Sequence, residues 1–417
     1  MGCIEIFGGR PLEGQVYIQG SKNAALPILA AAVLHKGVTV LHHCPKILDV
    51  MYMVQVLEEM GCDTAWSGHS LYLDARGLQT PRVSTDLGNK MRSSIILMGA
   101  LLGRMKEAWI PYPGGCTIGA RPIDMHVDAF TRMGASIEEE QEVLHARTAG
   151  LTGTRIVMKF PSVGATENVI LAAALAEGTT RIEKGAMEPE IVELCRFLNS
   201  KGARIHGAGT PGITIEGVRS LTDSEFDLMP DRIVAGTYMM GAMATRGKCF
   251  LRRAPSEQLG QVVYTARRLG AGIRVEPEGI LVDGRNAGRN AVYLETTPYP
   301  GFPTDLQSQV MAVLCLAKGE SLIREKIFEA RFKIVPQLCK MGAHIEVRGQ
   351  EARIRGTRGL NGAVVEAPEL RGGAALVIAG LAAMGTTEVE KYSFIQRGYE
   401  DICEDFRQLG GELKLKD

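Results

Sequence analysis

The stretch PEIVELCRFLNSKGARIHGAGTPGITIEG, residues 189–217, reads as a helix, a stop and a hairpin. Ile191, Leu194, Cys195 and Leu198 recur at helical spacing, and Gly202 stands where a left-handed residue closes a helix. GAGTPG at 207–212 then reads as the loop of a hairpin. The same device returns along the whole chain. A large side chain followed by glycine and a small residue ends a helical pattern at Met60, Met133, Lys201, Leu269, Met341 and Leu409. The glycines, 61, 134, 202, 270, 342 and 410, are spaced 73, 68, 68, 72 and 68 residues apart, a regularity that marks six copies of one unit.

Each unit carries further matching parts. An apolar, small-residue helix comes early: NAALPILAAAVL, SSIILMGALLGR, ENVILAAALAEG, IVAGTYMMGAMATRG, LQSQVMAVLCLAKG and GGAALVIAGLAAMG. Apolar on nearly every face, these helices belong in an interior and pack closely through Ala and Gly. A short strand follows each one, as in VTVL, TTRIEK and KCFLRR, then the amphipathic helix, then alternating strands such as GIRVEPEGILVDG and HIEVRGQEARIRG. The expected fold class is α/β (α+β), with six βαβαββ repeats arranged three per domain. Repeats of roughly 70 residues exceed the ~20–45 residues of stacked solenoids, so closed domains are expected. The last unit stops after one closing strand, GELKLKD, while the chain opens on a spare strand, CIEIF. The simplest division is a domain of residues 21–229 and a domain of residues 1–20 plus 230–417, with two crossings serving as a hinge.

Composition narrows the function. Lys+Arg and Asp+Glu both number 47, which argues against a sequence-independent nucleic-acid surface. The longest apolar run, Ala24–Leu34, is too short to span a bilayer, and MGCIEIFGGR has no signal-peptide pattern. Nine scattered cysteines without metal-type spacing read as reduced thiols in a cytoplasmic protein. The eight histidines form no ligand pattern, and no phosphate-loop or dinucleotide fingerprint is present.

Aligning the units places charges at the helix starts. Lys22 (beside Asn23), Arg92, Arg232, Asp305 and Arg371 open buried helices, and Asp49, Arg121, Arg331 and Arg397 are expected to open amphipathic ones. A cation there opposes the helix dipole unless an anion is bound, so the set reads as a phosphate and carboxylate site. Asp305 fits either a first-turn carboxylate or a general base. Cys116, in the glycine- and proline-rich loop PYPGGCTIG, fits either an inert thiol or one activated by neighbouring cations. The other eight cysteines are expected to be small buried hydrophobes, and His126 to lie on a helix surface or core edge.

These residues fall in motifs that resemble the UDP-N-acetylglucosamine 1-carboxyvinyltransferase family over essentially the whole length. The motifs are SKNAALPIL (21–29), MRSSI (91–95), PGGCTIGARPID (113–124), PSVGATEN (161–168), EPEIV (188–192), PDRI (230–233), PGFPTDLQSQ (300–309), FEARF (328–332) and RGYE (397–400). The resemblance implies the two-domain inverted α/β barrel of the enolpyruvyl transferases. It implies Cys116, Asp305, Lys22 and Arg397 as catalytic residues, Cys116 being the proton donor that forms an adduct with phosphoenolpyruvate and is alkylated by fosfomycin. It implies Lys22, Asn23, Arg121, Arg331, Arg371 and Arg397 around phosphoenolpyruvate. Around UDP-N-acetylglucosamine it implies Arg92, Arg121, Pro122, Ile123, Asp124, Met125, Ser162, Val163, Gly164, Asp305 and Ile327. No metal or organic cofactor is implied, the partners are those two small molecules, without nucleic acid or membrane insertion, and a monomer is compatible. Glu369 and Gln396 stand where the family more often has Asp, and Phe160 where some members have Lys.

Overall fold

A computed structural model describes residues 2–112, 114, 118–119 and 122–416. The chain divides into two compact units. One holds residues 2–19, 118–119 and 230–416, and the other holds residues 20–112, 114 and 122–229.

Among the described residues the strands form six small sheets, and each turn of the repeat is visible in them. In the unit of residues 20–229, Val38–His42 pairs in parallel with Ser224–Asp227 and antiparallel with Ser70–Asp74, which pairs antiparallel with Asp63–Ser67. Thr179–Glu183 repeats this arrangement between Arg155–Val157 and the hairpin Arg204–His206/Gly212–Glu216. Glu107–Pro111, Val143–Arg147 and Ser136–Glu140 form the three-stranded version, with Arg82 bridged to Trp109 where a fourth strand would lie.

The other unit has the same plan. Lys248–Arg252 lies between Glu13–Tyr17 and the hairpin Gly272–Glu276/Gly279–Asp283. Glu320–Glu325 lies between Tyr293–Thr296 and the hairpin His344–Arg348/Glu351–Arg355. In the third sheet Cys3–Phe7 pairs antiparallel with both Thr386–Glu390 and Glu412–Lys416. The chain's first strand thereby supplies the position that the final repeat leaves open.

The apolar helices are interior, as their composition requires. Lys22–Ala32, Leu97–Met105 and Val163–Ala173 pack together in one unit; Arg232–Ala244, Gln307–Leu314 and Leu370–Ala382 do so in the other. Close approach explains their small residues: a Cβ on Gly99 would collide with the Asn168 carbonyl oxygen. The six glycines of the repeat all have positive φ, from +78° at Gly410 to +102° at Gly61, each just past a helix end. Lys201 is the polar exception among the residues that precede them. Its stem is buried, and its amine donates to Thr39 Oγ1 at 3.0 Å and Ser224 Oγ at 3.1 Å, joining the parallel strand pair.

Candidate active site

In the unit of residues 230–416 the sequence PGFPTDLQSQ folds as a turn into a 3-10 turn, Thr304–Leu306, and then the buried helix Gln307–Leu314. Asp305 therefore projects from a helix start. Its Oδ1 accepts from Arg331 Nη2 at 2.7 Å and its Oδ2 from Arg371 Nη2 at 3.0 Å. The arginine side chains are 2% and 3% exposed, against 28% for Asp305, so buried cations hold a carboxylate that still reaches solvent. Arg331 also donates to the Thr304 carbonyl, which fixes its stem beside the same turn. Burial works against the charge on Arg371, and the Asp305, Tyr399 and Asp231 side chains hold its pKa above the ordinary arginine value.

The residues around this triad are committed to it. Glu369 caps helix Leu370–Ala382, accepting from Gly372 N at 2.5 Å and Arg371 N at 2.8 Å, and its Oε2 lies 3.7 Å from Arg331 Nη1. A glutamate thus makes both the cap and the contact with arginine. Buried Glu325 accepts from Thr304 Oγ1 at 3.0 Å and from the backbone N–H groups of Ile327 and Phe328 at 2.9 and 3.1 Å. It ties the Ile327 turn to the residue before Asp305. Nη1 of Arg371 and Nε2 of Gln307 are buried with no hydrogen-bond partner among the described residues. Unpartnered buried donors are costly unless a ligand oxygen completes them.

Arg397 departs from the alignment. It caps the C-terminus of a one-turn helix, Ser393–Gln396, rather than opening the amphipathic helix, which begins at Ile402. A cation at a helix C-terminus is favourable without any anion, so position alone gives no reason to assign Arg397 to an anion site. Arg121 and Cys116 lie outside the described residues.

In the unit of residues 20–229, Lys22 is the first residue of its helix and Ser21 its N-cap. Its Nζ lies 2.7 Å from Asp49 Oδ2, and both side chains are nearly buried. Asp49 offsets the cation that opposes the helix dipole. Asn23 is the second residue of that helix, and Arg92 opens the 3-10 turn Arg92–Ile96. Ser162 caps helix Val163–Ala173 through Ala165 N, placing Val163 and Gly164 in its first turn. Pro122 and Ile123 lead into helix Asp124–Arg132, which contains Met125. Lys159 Nζ lies 3.1 Å from Asp124 Oδ2, so a lysine one residue before Phe160 brings a cation to this helix start.

Two features here have no local sequence signal. Asn168 Oδ1 accepts from Gly99 N at 2.9 Å, so its Nδ2 donates, to Ile95 O and to His126 Nδ1, both at 2.8 Å. His126 Nδ1 is then an acceptor, and when the ring is neutral the proton sits on Nε2. The buried ring stands beside Gly164: a Cβ there would be 3.5 Å from His126 Cε1. Fully buried Glu167 has its pKa raised well above the usual carboxylate value, first by burial and then by Glu190 and Glu188.

The remaining expectations divide. Cys44, Cys62, Cys195, Cys249, Cys315 and Cys403 are buried, and burial pushes the thiols of Cys62, Cys195, Cys249, Cys315 and Cys403 up to about 12. Cys339 is exposed and Cys3 half-buried, contrary to the expectation for them, because each sits on the outward side of a short element. His145 does join a ligand-type group: one atom each of Glu138, Glu140 and His145 lie within 4.8 Å of one another, across a hairpin whose pairing spacing alone did not reveal. No helix among the described residues is long and apolar enough to cross a membrane.

Comparison with known proteins gives this geometry a context. The family model for EPSP synthase (3-phosphoshikimate 1-carboxyvinyltransferase) matches residues 6–406. The enolpyruvyl transferase NikO from Streptomyces tendae superposes with a TM-score of 0.90 at 24% identity, over 100% of this chain and 99% of that one. EPSP synthase from Acinetobacter baumannii superposes with a TM-score of 0.77 at 16% identity, over the whole of both chains. Fold and family model together define an enolpyruvyl transferase. UDP-N-acetylglucosamine 1-carboxyvinyltransferase 2 from Caldanaerobacter subterraneus subsp. tengcongensis is 46% identical over 413 residues, 99% of each chain. The enzyme of the same name from Nitratidesulfovibrio vulgaris (strain DP4) is 43% identical over 414 residues, also 99% of each. The chain belongs to the UDP-N-acetylglucosamine 1-carboxyvinyltransferase family.

Proposed function

We propose that the chain transfers the enolpyruvyl group of phosphoenolpyruvate to the 3′-hydroxyl of UDP-N-acetylglucosamine, releasing phosphate, as the first committed step of peptidoglycan synthesis in the cytoplasm. The observation that carries this reading is Asp305 between buried Arg331 and Arg371, with an arginine donor left unpartnered among the described residues.

The chemistry is addition followed by elimination. Protonation of the methylene carbon makes C2 of phosphoenolpyruvate electrophilic. Cys116 is the proposed donor, since a thiol near its reference pKa of about 8.5 is largely protonated at neutral pH. The acceptor hydroxyl then bonds to C2 while Asp305 takes its proton. The tetrahedral intermediate loses a proton from the new methyl group and phosphate from C2, which regenerates the double bond as an enol ether. Arg331 and Arg371 bind the carboxylate. Lys22, Asn23, Arg121 and Arg397 bind the phosphate and stabilise charge as it departs. Arg92, residues 121–125, Ser162–Gly164, Asp305 and Ile327 bind the sugar nucleotide. A thiol in this role is also the proposed target of fosfomycin.

The matching family model is described by a 3-phosphoshikimate enzyme, so the acceptor is the point to test. Phosphate release from phosphoenolpyruvate is measured with UDP-N-acetylglucosamine and with shikimate 3-phosphate. Release with the sugar nucleotide is expected; release with shikimate 3-phosphate alone would replace the proposed acceptor, and binding of sugar nucleotide without turnover would favour a regulatory paralogue.

A further inference from the structure

Tyr399 is 1% exposed and follows Arg397 by two residues. Its hydroxyl lies 2.7 Å from Thr237 Oγ1. Thr237 has one hydroxyl proton, which goes to the Ile233 carbonyl at 2.8 Å. Gln309 Nε2 also donates to Thr237 Oγ1, at 3.2 Å. Thr237 is therefore an acceptor toward Tyr399, and the Tyr399 proton is committed to it. The phenol oxygen can then only accept from its remaining side, where it meets the Arg371 side chain. The Arg371 guanidinium carbon is 6.0 Å from the Tyr399 ring centroid.

We propose that Tyr399, held by Thr237 and Gln309, is a positioning residue that sets the plane of the Arg371 guanidinium and so aims its Nη1, unpartnered among the described residues, at the substrate carboxylate. A guanidinium held at one nitrogen can pivot about that contact. Arg371 is held by Asp305 at Nη2, meets the Tyr399 hydroxyl and lies over the Tyr399 ring, contacts that together fix its plane. Thr237 and Gln309 are both fully buried, so this support excludes water and is rigid. The favourable effect of Tyr399 on the charged form of Arg371 agrees with this orientation. The inference rests on the reading of Arg371 as a ligand of the phosphoenolpyruvate carboxylate.

Tyr399→Phe separates positioning from structure. It keeps the ring and removes only the oxygen that faces Arg371, while Thr237 still donates to Ile233 and still accepts from Gln309. The expected result is a rise of about tenfold or more in KM for phosphoenolpyruvate, the scale of one hydrogen bond to a charged group. KM for UDP-N-acetylglucosamine and the melting temperature stay near wild type. Thr237→Val, which removes the acceptor that orients the phenol, is expected to reproduce the KM rise, and Thr237→Ser to restore the wild-type value. Calorimetric titration of phosphoenolpyruvate into the full chain with the sugar nucleotide present reads the same change in Kd without requiring turnover. If the wild type binds phosphoenolpyruvate but does not turn over, the proposed reaction fails while this comparison still stands. An unchanged KM and Kd for phosphoenolpyruvate in Tyr399→Phe, equal rises for both substrates, a loss of melting temperature alone, or no phosphoenolpyruvate binding by the wild type would overturn the inference.

Discussion

Arg371 donates from Nη2 to the Oδ2 oxygen of Asp305 across 3.0 Å, joining two residues 66 positions apart at one end of a buried helix. Arg331 occupies the other carboxylate oxygen. The proposed base and the proposed carboxylate ligands therefore already form one assembly before any substrate is present. Nη2 of Arg371 is committed to Asp305, while its Nη1 has no hydrogen-bond partner among the described residues, so one guanidinium has a donor left for a substrate carboxylate.

Replacing Arg371 by Lys keeps the charge and removes the planar fork. Lysine cannot reach Asp305 and a substrate oxygen in the same geometry. The expected result is a loss of about 10–100-fold in kcat/KM for phosphoenolpyruvate, mostly in KM, as for a charged hydrogen bond. Steady-state kinetics with each substrate varied in turn checks this, and an unchanged value would show that the fork is not used.

Lys22 and Asp49 are nearly buried and 2.7 Å apart. Removing one member of such a pair takes the nearest counter-charge from the other. Lys22→Met should destabilise the protein by about 3–5 kcal/mol. Adding Asp49→Asn should recover much of that loss. Denaturant unfolding of the single and double variants measures the coupling, and purely additive effects would refute it.

Asp405 is held protonated to about pH 7 by burial, which outweighs the hydrogen bond from Tyr238. In the unfolded chain this carboxyl loses its proton near its ordinary value of 3.8. The folded state thus binds the extra proton between about pH 4 and pH 7, and stability falls as pH rises through that window. Asp405→Asn should flatten the fall and stabilise the protein at pH 8, by on the order of 4 kcal/mol at most. Glu167 acts with the same sign. Melting curves from pH 4 to pH 8 that run parallel for variant and wild type would contradict the assignment.

The repeat glycines give a test of backbone strain. Nothing lies within 4 Å of a Cβ placed on Gly202, whose φ is +98°. Gly202→Ala should cost about 1–2 kcal/mol from conformation alone. A Cβ on Gly61 would also stand 2.5 Å from the Gly77 carbonyl oxygen, so Gly61→Ala should cost more. Equal losses would mean that the neighbouring chain yields freely.

The fold was legible because it is written six times. Positive φ at Gly61, Gly134, Gly202, Gly270, Gly342 and Gly410 is a local necessity, and repetition turned a weak local signal into an architecture. Asp305, Arg331 and Arg371 were legible as helix-start charges, although their mutual contacts were not. Glu325, Asn168 and Tyr399 were missed because their partners, Thr304, Gly99 and Thr237, are distant in sequence and no periodicity points to them. Arg397 was misplaced because an extra helical turn, Ser393–Gln396, precedes the amphipathic helix in the last repeat. Lys201 was read with Met and Leu, correctly for its buried stem, but its amine serves strand pairing.

The most direct test of Asp305 as the base is Asp305→Asn, incubated with phosphoenolpyruvate and UDP-N-acetylglucosamine and followed by phosphate release and by mass spectrometry of the peptide that holds Cys116. Loss of a general base costs about 10²–10⁴-fold in rate. The prediction is a loss of turnover in that range while the Cys116 peptide still gains the phosphoenolpyruvate adduct. Near-normal phosphate release from the variant would contradict the account.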